Sequence, residues 1–297
     1  MSFQVTTAMI QQYNANIALV SQQKKSRLEG CVRRERLTAE FEYFDQIGPT
    51  EAQPKNGRHA DTPLMSTPHM RRRVSGTPYN WADLVDTTDK LRMLTDPTSA
   101  YTMNAIAAFN RAKDSVIINA AFAAVQAGKT GTESTITFPT ATSNNIYDAA
   151  SFGADETTVL TVDKLLRAKK AMWRSEVDEG IPLYCCVSAS QLTDLLNATE
   201  VKSADYNTVK ALAQGDIDTF MGFKFIRSER LPWDGKTRQC IAWAQDGLLL
   251  ATQEEITVKV SERDDKNYST QIYVEMDLGA VRMEEAKVMR IFCKEGA

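Results

Sequence analysis

Residues 96–128, DPTSAYTMNAIAAFNRAKDSVIINAAFAAVQAG, combine the start signal, the stop signal and the apolar repeat of one long helix. Asp96 can cap the first turn, and Pro97 occupies the first helical position, where the backbone N–H has no partner within the helix. Gly128 can adopt the left-handed conformation that ends a helix. The apolar repeat, at steps of three and four, consists of Ala105, Phe109, Ala112, Val116, Ala120, Ala123 and Ala127. A second, polar face carries Asn104, Arg111, Ser115, Asn119 and Gln126. The pattern predicts a helix over 97–127, roughly 45 Å long, whose small side chains allow close approach by a sheet.

The composition is typical of a soluble globular chain. Its 297 residues allow two domains or one elongated domain, and 43% hydrophobic with 25% charged residues are usual for such proteins. No apolar run reaches the length of a membrane span, and the amino end lacks the basic start and apolar core of a secretion signal. We therefore expect no membrane contact and a protein made and used in a cytoplasm. The net charge of −3 argues against a chain whose main task is binding phosphates.

The residue patterns that carry enzymatic chemistry are missing from the sequence. There is no phosphate-binding glycine loop and no nucleophile or zinc motif, and the two histidines, His59 and His69, lie in a predicted loop. The cysteines are odd in number, lack metal-ligand spacing and read as reduced, mostly buried side chains: Cys31, Cys185, Cys186, Cys240 and Cys293. We expect a protein that is not an enzyme, with no catalytic residue, cofactor or metal.

The first 36 residues read as an arm that becomes strongly charged. Its basic side chains are Lys24, Lys25, Arg27, Arg33, Arg34 and Arg36, interrupted by Glu29 and Glu35. Such a segment can lie on nucleic acid or on the acidic face of a partner, and a solvated helical face explains the same pattern equally well.

An extended loop is predicted over 37–80. Alternating residues from Thr38 to Ile47 indicate a strand, a Pro/Gly-rich segment follows, and a second extended segment runs from His69 to Tyr79. The loop has too few large apolar residues for a core of its own, so it must lie on something else. Its basic run, Arg71, Arg72 and Arg73, alternates between the faces of a strand. Without interleaved aromatic residues, this run favours salt bridges to a neighbouring subunit over contacts with nucleic acid.

The rest of the chain alternates helices and strands. Thr161 can cap a helix from Val162 to about Glu176 with Trp173 facing inward, and Ser188–Gln191 matches a capping box. A short helix is expected near 209–213. The predicted strands are Ile136–Pro139, Leu183–Val187, Phe223–Ile226, Ile241–Leu250, Ile256–Val260, Gln271–Met276 and Val288–Phe292. The pattern predicts an α+β fold.

Three stretches, taken in order, resemble the major capsid proteins of tailed bacteriophages with the HK97 fold. The first is Asp61-Thr62-Pro63 with His69, Arg71 and Arg72, followed by Asp96-Pro97 at the start of the long helix. The second is Phe220-Met221-Gly222-Phe223-Lys224-Phe225-Ile226, continuing through Ser228 to Leu231-Pro232. The third is Met276-Asp277-Leu278-Gly279-Ala280, followed by Ala286 and a last apolar strand. The resemblance covers nearly the whole chain.

The resemblance implies a subunit with several parts. These are an amino-terminal arm at 1–36, an extended loop (E-loop) at 37–80, a peripheral domain at 81–180 with the spine helix at 97–127, an axial domain at 181–255 and a return to the peripheral domain at 256–297. In such proteins, copies form pentamers and hexamers that assemble with scaffold and portal proteins into an icosahedral shell. The shell encloses double-stranded DNA, with or without a decoration protein. The expected location is the virion, and the host cytoplasm during assembly.

Within that resemblance, the candidate intersubunit contacts are Lys55, Arg71, Arg72 and Arg73, and the basic residues of the arm are candidates for contact with scaffold or DNA. Some members join a loop lysine to a neighbouring asparagine; Lys55 lies near the loop tip, but no matching asparagine or activating glutamate is found. The short arm favours a separate scaffold protein. Two alternatives remain: an encapsulin-like compartment that holds protein cargo, and a nucleic-acid-binding protein that uses the basic arm.

Overall fold

The computed structural model describes residues 22–55, 57–58, 64–85, 98–140, 144–147, 158–197, 219–252 and 257–295. The strands and helices of these residues, in chain order, are β1 Arg33–Arg36, β2 Phe41–Ile47, β3 His69–Ser75, β4 Thr77–Val85, α1 Thr98–Phe122, β5 Val125–Ala127, β6 Ser134–Ile136, β7 Asn145–Ile146, α2 Val162–Arg174, β8 Leu183–Val187, α3 Ala189–Asn197, β9 Thr219–Phe220, β10 Phe223–Arg227, β11 Thr237–Ala244, β12 Leu248–Thr252, β13 Thr257–Arg263, β14 Ser269–Arg282 and β15 Val288–Lys294. The prediction of a mixed fold is confirmed. The helix predicted near 209–213 lies outside the described residues.

The long helix α1 is shorter at its carboxyl end than predicted. It ends at Phe122, so the prediction of a helix through 127 is wrong there, while Asp96 and Pro97 lie outside the described residues. Residues 125–127 form β5, which pairs with β3 and β6, and Gly128 has a φ of +104° in the turn that follows this strand. β-branched Val125 is buried beneath the hairpin, so strand pairing and burial outweigh the local helical pattern.

The helix also buries more than the single predicted stripe. Ala105 and Phe109 pack against β4 and β14 as expected, whereas Ala112 is half-buried and Ala123 is exposed. A second buried stripe, made by Ile117, Ile118 and Ala121, packs into the largest hydrophobic core. The helix lies between two cores, so one alanine stripe does not describe its packing.

A five-stranded sheet is built around β14, which has 14 residues. β14 pairs antiparallel with β4 and β13 through its first part and with β12 through its last part. β12 also pairs in parallel with β1, in the register Arg33↔Leu249 to Arg36↔Thr252. The basic end of the predicted arm is therefore a strand of this sheet.

A six-stranded sheet has the order β7-β15-β11-β8-β10-β9 and contributes much of the largest core. Two strands pair outside the sheet that holds most strands of their predicted segment, and the division into domains stays a prediction. β15 lies in the six-stranded sheet, although the predicted segment 256–297 places it with β13 and β14. β12 lies in the five-stranded sheet, although the predicted segment 181–255 places it with β8 to β11. β15 buries five of its seven residues, as expected for an inner strand that is covered on both faces. This burial is consistent with its place inside the six-stranded sheet.

A third sheet, of order β2-β3-β5-β6, contains the predicted hairpin of the extended loop. β2 and β3 pair antiparallel from Phe41↔Ser75 to Ile47↔His69, which confirms the two strands. Its base packs on the five-stranded sheet, because Leu37 and Val74 share a buried cluster with Leu249 and Val281. At the far end of the hairpin, the Ile47 side chain is exposed, with 70% of its surface accessible.

Of the features predicted for the two helices after α1, the cap of α2 is present, while the capping box of α3 and the orientation of Trp173 differ from the prediction. The Thr161 hydroxyl accepts a hydrogen bond from the Lys164 amide at 3.4 Å and caps α2. The Ser188 hydroxyl accepts from the Gln191 amide, also at 3.4 Å, but the Gln191 side chain does not complete a capping box because it bonds to the Leu160 amide instead. The prediction that Trp173 faces inward is wrong: the side chain is exposed.

Candidate functional site

The outward face of the β2–β3 hairpin carries alternating aromatic and guanidinium groups. The Arg73 guanidinium lies 3.6 Å from the centre of the Phe41 ring, and that of Arg71 lies 5.6 Å from the Tyr43 ring. This arrangement was not predicted, because the aromatic residues are not next to the arginines along the chain and the strand register brings them together across the hairpin. The turn after β5 closes over the same face, since a Cβ on Gly131 would lie 2.6 Å from Arg73 Cδ and 2.7 Å from Tyr43 Cε1.

Two of the three arginines pair with carboxylates of their own chain. Arg71 Nη2 lies 3.1 Å from Asp45 Oδ2, and the hydrogen bond from Arg71 lowers the pKa of Asp45. Arg72 points inward, is 3% exposed and places Nη2 2.8 Å from Glu285 Oε2. Contact of Arg71, Arg72 and Arg73 with a neighbouring subunit stays a prediction. The pairs are internal because the register places Asp45 opposite Arg71 and turns Arg72 toward the body of the subunit.

Arg72 is one end of a polar hub that connects the hairpin to the carboxyl end of α1. Glu285 accepts hydrogen bonds from Arg72 and, at 3.3 Å, from Arg282. The fully buried Arg282 guanidinium also donates to the carbonyl oxygens of Ala121 and Ala123, both at 2.9 Å. A cation at this position satisfies free carbonyl groups and opposes the negative end of the helix dipole. Burial lowers the pKa of Arg282. No sequence pattern indicates the hub, because Arg72 is 213 residues from Glu285 and Arg282 is 161 residues from Ala121.

The described part of the arm lies against α1. The buried Asp114 carboxylate accepts hydrogen bonds from the backbone amides of Arg27 and Leu28, at 3.1 and 3.2 Å, and from the Ser26 hydroxyl at 2.5 Å. It also accepts one from Gln23. The helix face predicted to be polar also contacts the arm, since Asn104 accepts a hydrogen bond from Gln22 at 3.0 Å and Arg111 donates one to Gln22 at 2.6 Å.

The basic side chains of the arm remain accessible. Lys24, Lys25, Arg27, Arg33, Arg34 and Arg36 are all exposed. Arg33 pairs with Glu35 at 2.7 Å and Arg34 lies 3.7 Å from Glu29, both on the surface. Arg27 donates to the carbonyl oxygen of Arg227. Contact of these residues with scaffold or DNA stays a prediction.

The remaining candidate of the loop, Lys55, is exposed, and its intersubunit contact stays a prediction. His59 lies outside the described residues. His69 begins β3 and is exposed. Together with Arg71, Arg72 and Lys129, it lines an open groove of about 660 Å³ beside β3, β5 and β6.

The cysteines match the expectation of reduced, mostly buried thiols. All five are free; Cys185, Cys186, Cys240 and Cys293 are buried and Cys31 is half-buried. Burial raises the pKa of Cys185, which disfavours the reactive thiolate. Among the described residues, no group of three or more His, Cys, Asp or Glu could hold a metal ion. None of the helices described is both long and apolar enough to cross a membrane.

Comparison with known families identifies the class of protein. The family model for phage capsid protein matches residues 5–295, so the chain belongs to the phage capsid protein family. It is a virion component that forms the phage head shell by self-association, and its role is structural rather than enzymatic. The resemblance found in the sequence is confirmed. No curated protein matches the chain.

Solved capsid structures have the same fold at low sequence identity. The capsid of Ralstonia phage GP4 gives a TM-score of 0.73 at 11% identity, covering 94% of this chain and 94% of that one. The capsid of cyanophage P-SCSP1u gives 0.72 at 14% identity, with coverage of 95% and 92%. The capsid of the native gene transfer agent particle gives 0.64 at 12% identity, with coverage of 95% and 94%.

Proposed function

We propose that this chain is the major capsid protein of a tailed phage and that its pentamers and hexamers build an icosahedral shell around double-stranded DNA. The observation that carries the proposal is the hairpin, which is anchored at its base but presents an arginine and aromatic face outward. Aromatic residues and arginine are enriched at protein interfaces. Head-to-tail contacts between such subunits can close into rings.

We assign the parts of an HK97-type subunit by sheet rather than by continuous segment. The six-stranded sheet with α2 and α3 is the proposed axial domain, and the five-stranded sheet with α1 is the proposed peripheral domain. The strand pairing supports this division. β12 precedes residue 255 but pairs in the five-stranded sheet, and β15 follows residue 255 but pairs in the six-stranded sheet. The hairpin of residues 37–80 lies over a neighbouring subunit, with Lys55 and Arg73 among its contacts.

The proposed partners outside the shell are scaffold and portal proteins, packaged DNA and, where one exists, a decoration protein. The accessible basic residues of the arm support contact with an acidic partner. Because β1 is fixed in the five-stranded sheet, this contact lies at a defined position on the subunit. Assembly takes place in the host cytoplasm.

Electron microscopy of the purified chain, alone and co-expressed with its scaffold, tests the proposal. We expect shells or capsomers, and nuclease-resistant double-stranded DNA in particles isolated from infected cells. Particles filled with protein enzymes in place of DNA would identify an encapsulin-like compartment.

A matched deletion tests the hairpin. Replacing residues 48–68 with a short glycine linker removes the far end but keeps the buried base, so we expect a folded subunit that does not close shells. Normal particles from this deletion would overturn the assignment of the loop as an intersubunit element.

A further inference from the structure

Two tryptophan side chains are exposed on the six-stranded sheet unit. Trp173, on α2, is 51% accessible, and Trp233, in the loop between β10 and β11, is 47% accessible. Tryptophan is a large apolar side chain and is strongly enriched among residues that dominate binding energies. Two exposed copies on one unit therefore need an explanation.

The tryptophans lie at opposite ends of the same parallel strands. Trp173 lines a groove with Leu183, the first residue of β8, and with Gly222, just before β10. The loop that carries Trp233 begins where those strands end, because the Ser228 amide donates to the Val187 carbonyl oxygen at 2.9 Å. β8 and β10 pair in parallel over five residues, which separates their two ends by roughly 16 Å.

The Trp233 loop is held rigidly. The carboxylate of Asp234 accepts hydrogen bonds from the amides of Lys236 and Thr237, at 3.0 and 2.6 Å, and Gly235 takes a φ of +93° between them. The Arg238 guanidinium lies 5.7 Å from the Trp233 ring centre. A side chain fixed before binding loses little freedom on association. The loop thus presents Trp233 as a preformed knob.

The groove at the other end is suited to receive an aromatic group beside an anion. It has a volume of about 400 Å³, and its lining includes Lys169, Trp173, Glu179, Leu183, Gly222 and Lys224. The Lys169 ammonium lies 4.9 Å from the Trp173 ring centre, and Lys224 is exposed. Ammonium groups attract both aromatic faces and carboxylates. Asp234, the neighbour of Trp233 in the knob, is an exposed anion whose pKa the amides of Thr237 and Lys236 lower.

We infer that Trp233 of one copy of this chain docks into the groove beside Trp173 of the next copy, with Asp234 facing Lys224. A head-to-tail contact requires two different surfaces on one subunit, and the knob and the groove meet this requirement at opposite ends of one sheet. The one anion of the groove lining, Glu179, is outnumbered there by Lys169 and Lys224. The inference rests on the proposed function and specifies which surfaces join subunits within a capsomer.

Zero-length cross-linking of wild-type particles tests the contact directly. Particles are assembled from a mixture of ¹⁴N-labelled and ¹⁵N-labelled subunits, treated with a carbodiimide, and digested for mass spectrometry. We expect Asp234 joined to Lys224 or Lys169 in peptide pairs that carry one label each, and no such mixed pairs from unassembled subunits. Assembled particles that yield only same-label pairs, or none, would overturn the inference and leave the proposed function intact.

Substitutions supply an independent measurement. We expect Trp233→Ala and Trp173→Ala each to weaken capsomer formation by about tenfold or more, with unchanged melting of the free subunit, because both side chains are half exposed. Trp233→Phe should retain most of the assembly, and the control Lys170→Ala, on α2 outside the groove, should retain all of it. Normal capsomers from Trp233→Ala, or a defect from Trp173→Ala alone, would overturn the pairing. A wild-type chain that forms no capsomers would overturn the proposed function as well.

Discussion

Arg72 lies among arginines that look alike in sequence, yet its surroundings differ from those of its neighbours. Arg71 and Arg73 lie on the outward face of the hairpin, whereas Arg72 is buried against Glu285. Its Nη2 atom binds this carboxylate at 2.8 Å, although its buried Nη1 atom has no hydrogen-bond partner among the described residues. The residue therefore contributes to the stability of the single subunit and not only to contacts between subunits.

We expect Arg72→Ala to lower the free energy of unfolding of the free subunit by about 1–3 kcal/mol, because Glu285 loses a buried partner. Arg71→Ala is the matched control, since its ion pair with Asp45 is exposed and exposed pairs add little. Urea denaturation of unassembled subunits measures both variants. Equal stability of the two would show that burial of Arg72 is unimportant to the subunit.

A second ion pair makes the fold sensitive to acid. Arg238 Nη2 lies 2.7 Å from Glu295 Oε1, and the Ser188 hydroxyl donates to Glu295 Oε2, also at 2.7 Å. The hydrogen bond from Arg238 is the main cause that lowers the pKa of Glu295 below its usual 4.5. A lowered pKa in the folded state means that the ionised carboxylate stabilises the fold above pH 4.5, and that this contribution is lost as the pH falls through the folded-state value.

We expect Glu295→Gln to be less stable than the wild type at pH 6–7, and the difference to shrink below about pH 4.5. Glu262→Gln is the control, because Glu262 is exposed on β13. Thermal melting of free subunits across this pH range measures the effect. A stability difference that stays constant from pH 7 to pH 3 would contradict the proposed role of the ionised carboxylate.

At the scale of elements, the sequence predicted those features whose cause is local. The Thr161 cap and the two strands of the β2–β3 hairpin follow from patterns of neighbouring residues, and the structure contains each of them. The failures have non-local causes. Residues 125–127 satisfy a helical pattern but pair as a strand, and Trp173 satisfies an apolar repeat but faces solvent.

The helix α1 shows the same limit. Periodicity identified it, but could not indicate that two cores pack against different sides of it. Asp114 belongs neither to the predicted apolar stripe nor to the predicted polar face, yet it is fully buried beneath the arm. A sequence pattern reports which residues prefer burial; it does not report which distant backbone amides will bond to a carboxylate.

The two-core packing of α1 predicts an order among alanine substitutions. Ala105 is fully buried against β14, so Ala105→Leu should cost about 1–3 kcal/mol of subunit stability through overpacking. Ala112, on the same predicted stripe, is half-buried, and Ala112→Leu should cost less. Thermal melting of free subunits and particle yield measure the two variants. The opposite order would mean that the contacts of α1 with β14 are not those described.

At the scale of the whole molecule, a few polar side chains link the hairpin sheet to the body of the subunit, in addition to the apolar cluster at the hairpin base. The Arg72–Glu285–Arg282 hub links the hairpin sheet, the turn between β14 and β15, and the end of α1. Because these groups are hydrogen-bonded to one another, movement of the hairpin base requires rearrangement at the end of the helix. The loop beyond the base has no such connection at Lys55, which is exposed on the free subunit.

That contrast yields a prediction about the shell. Trypsin should cleave the free subunit rapidly after Lys55 and Arg58, which are both exposed. In assembled shells the loop is expected to lie on a neighbouring subunit, so cleavage should require local opening and slow by about tenfold for each 1.4 kcal/mol of contact energy. Cleavage after Lys24 and Lys25, which are exposed on the arm, serves as an internal comparison. Mass spectrometry of time-resolved digests of free subunits and purified shells provides the rates. If Lys55 and Arg58 are cut equally fast in both, the loop does not lie on a neighbour, and the hairpin face of Phe41 and Arg73 must serve a different partner.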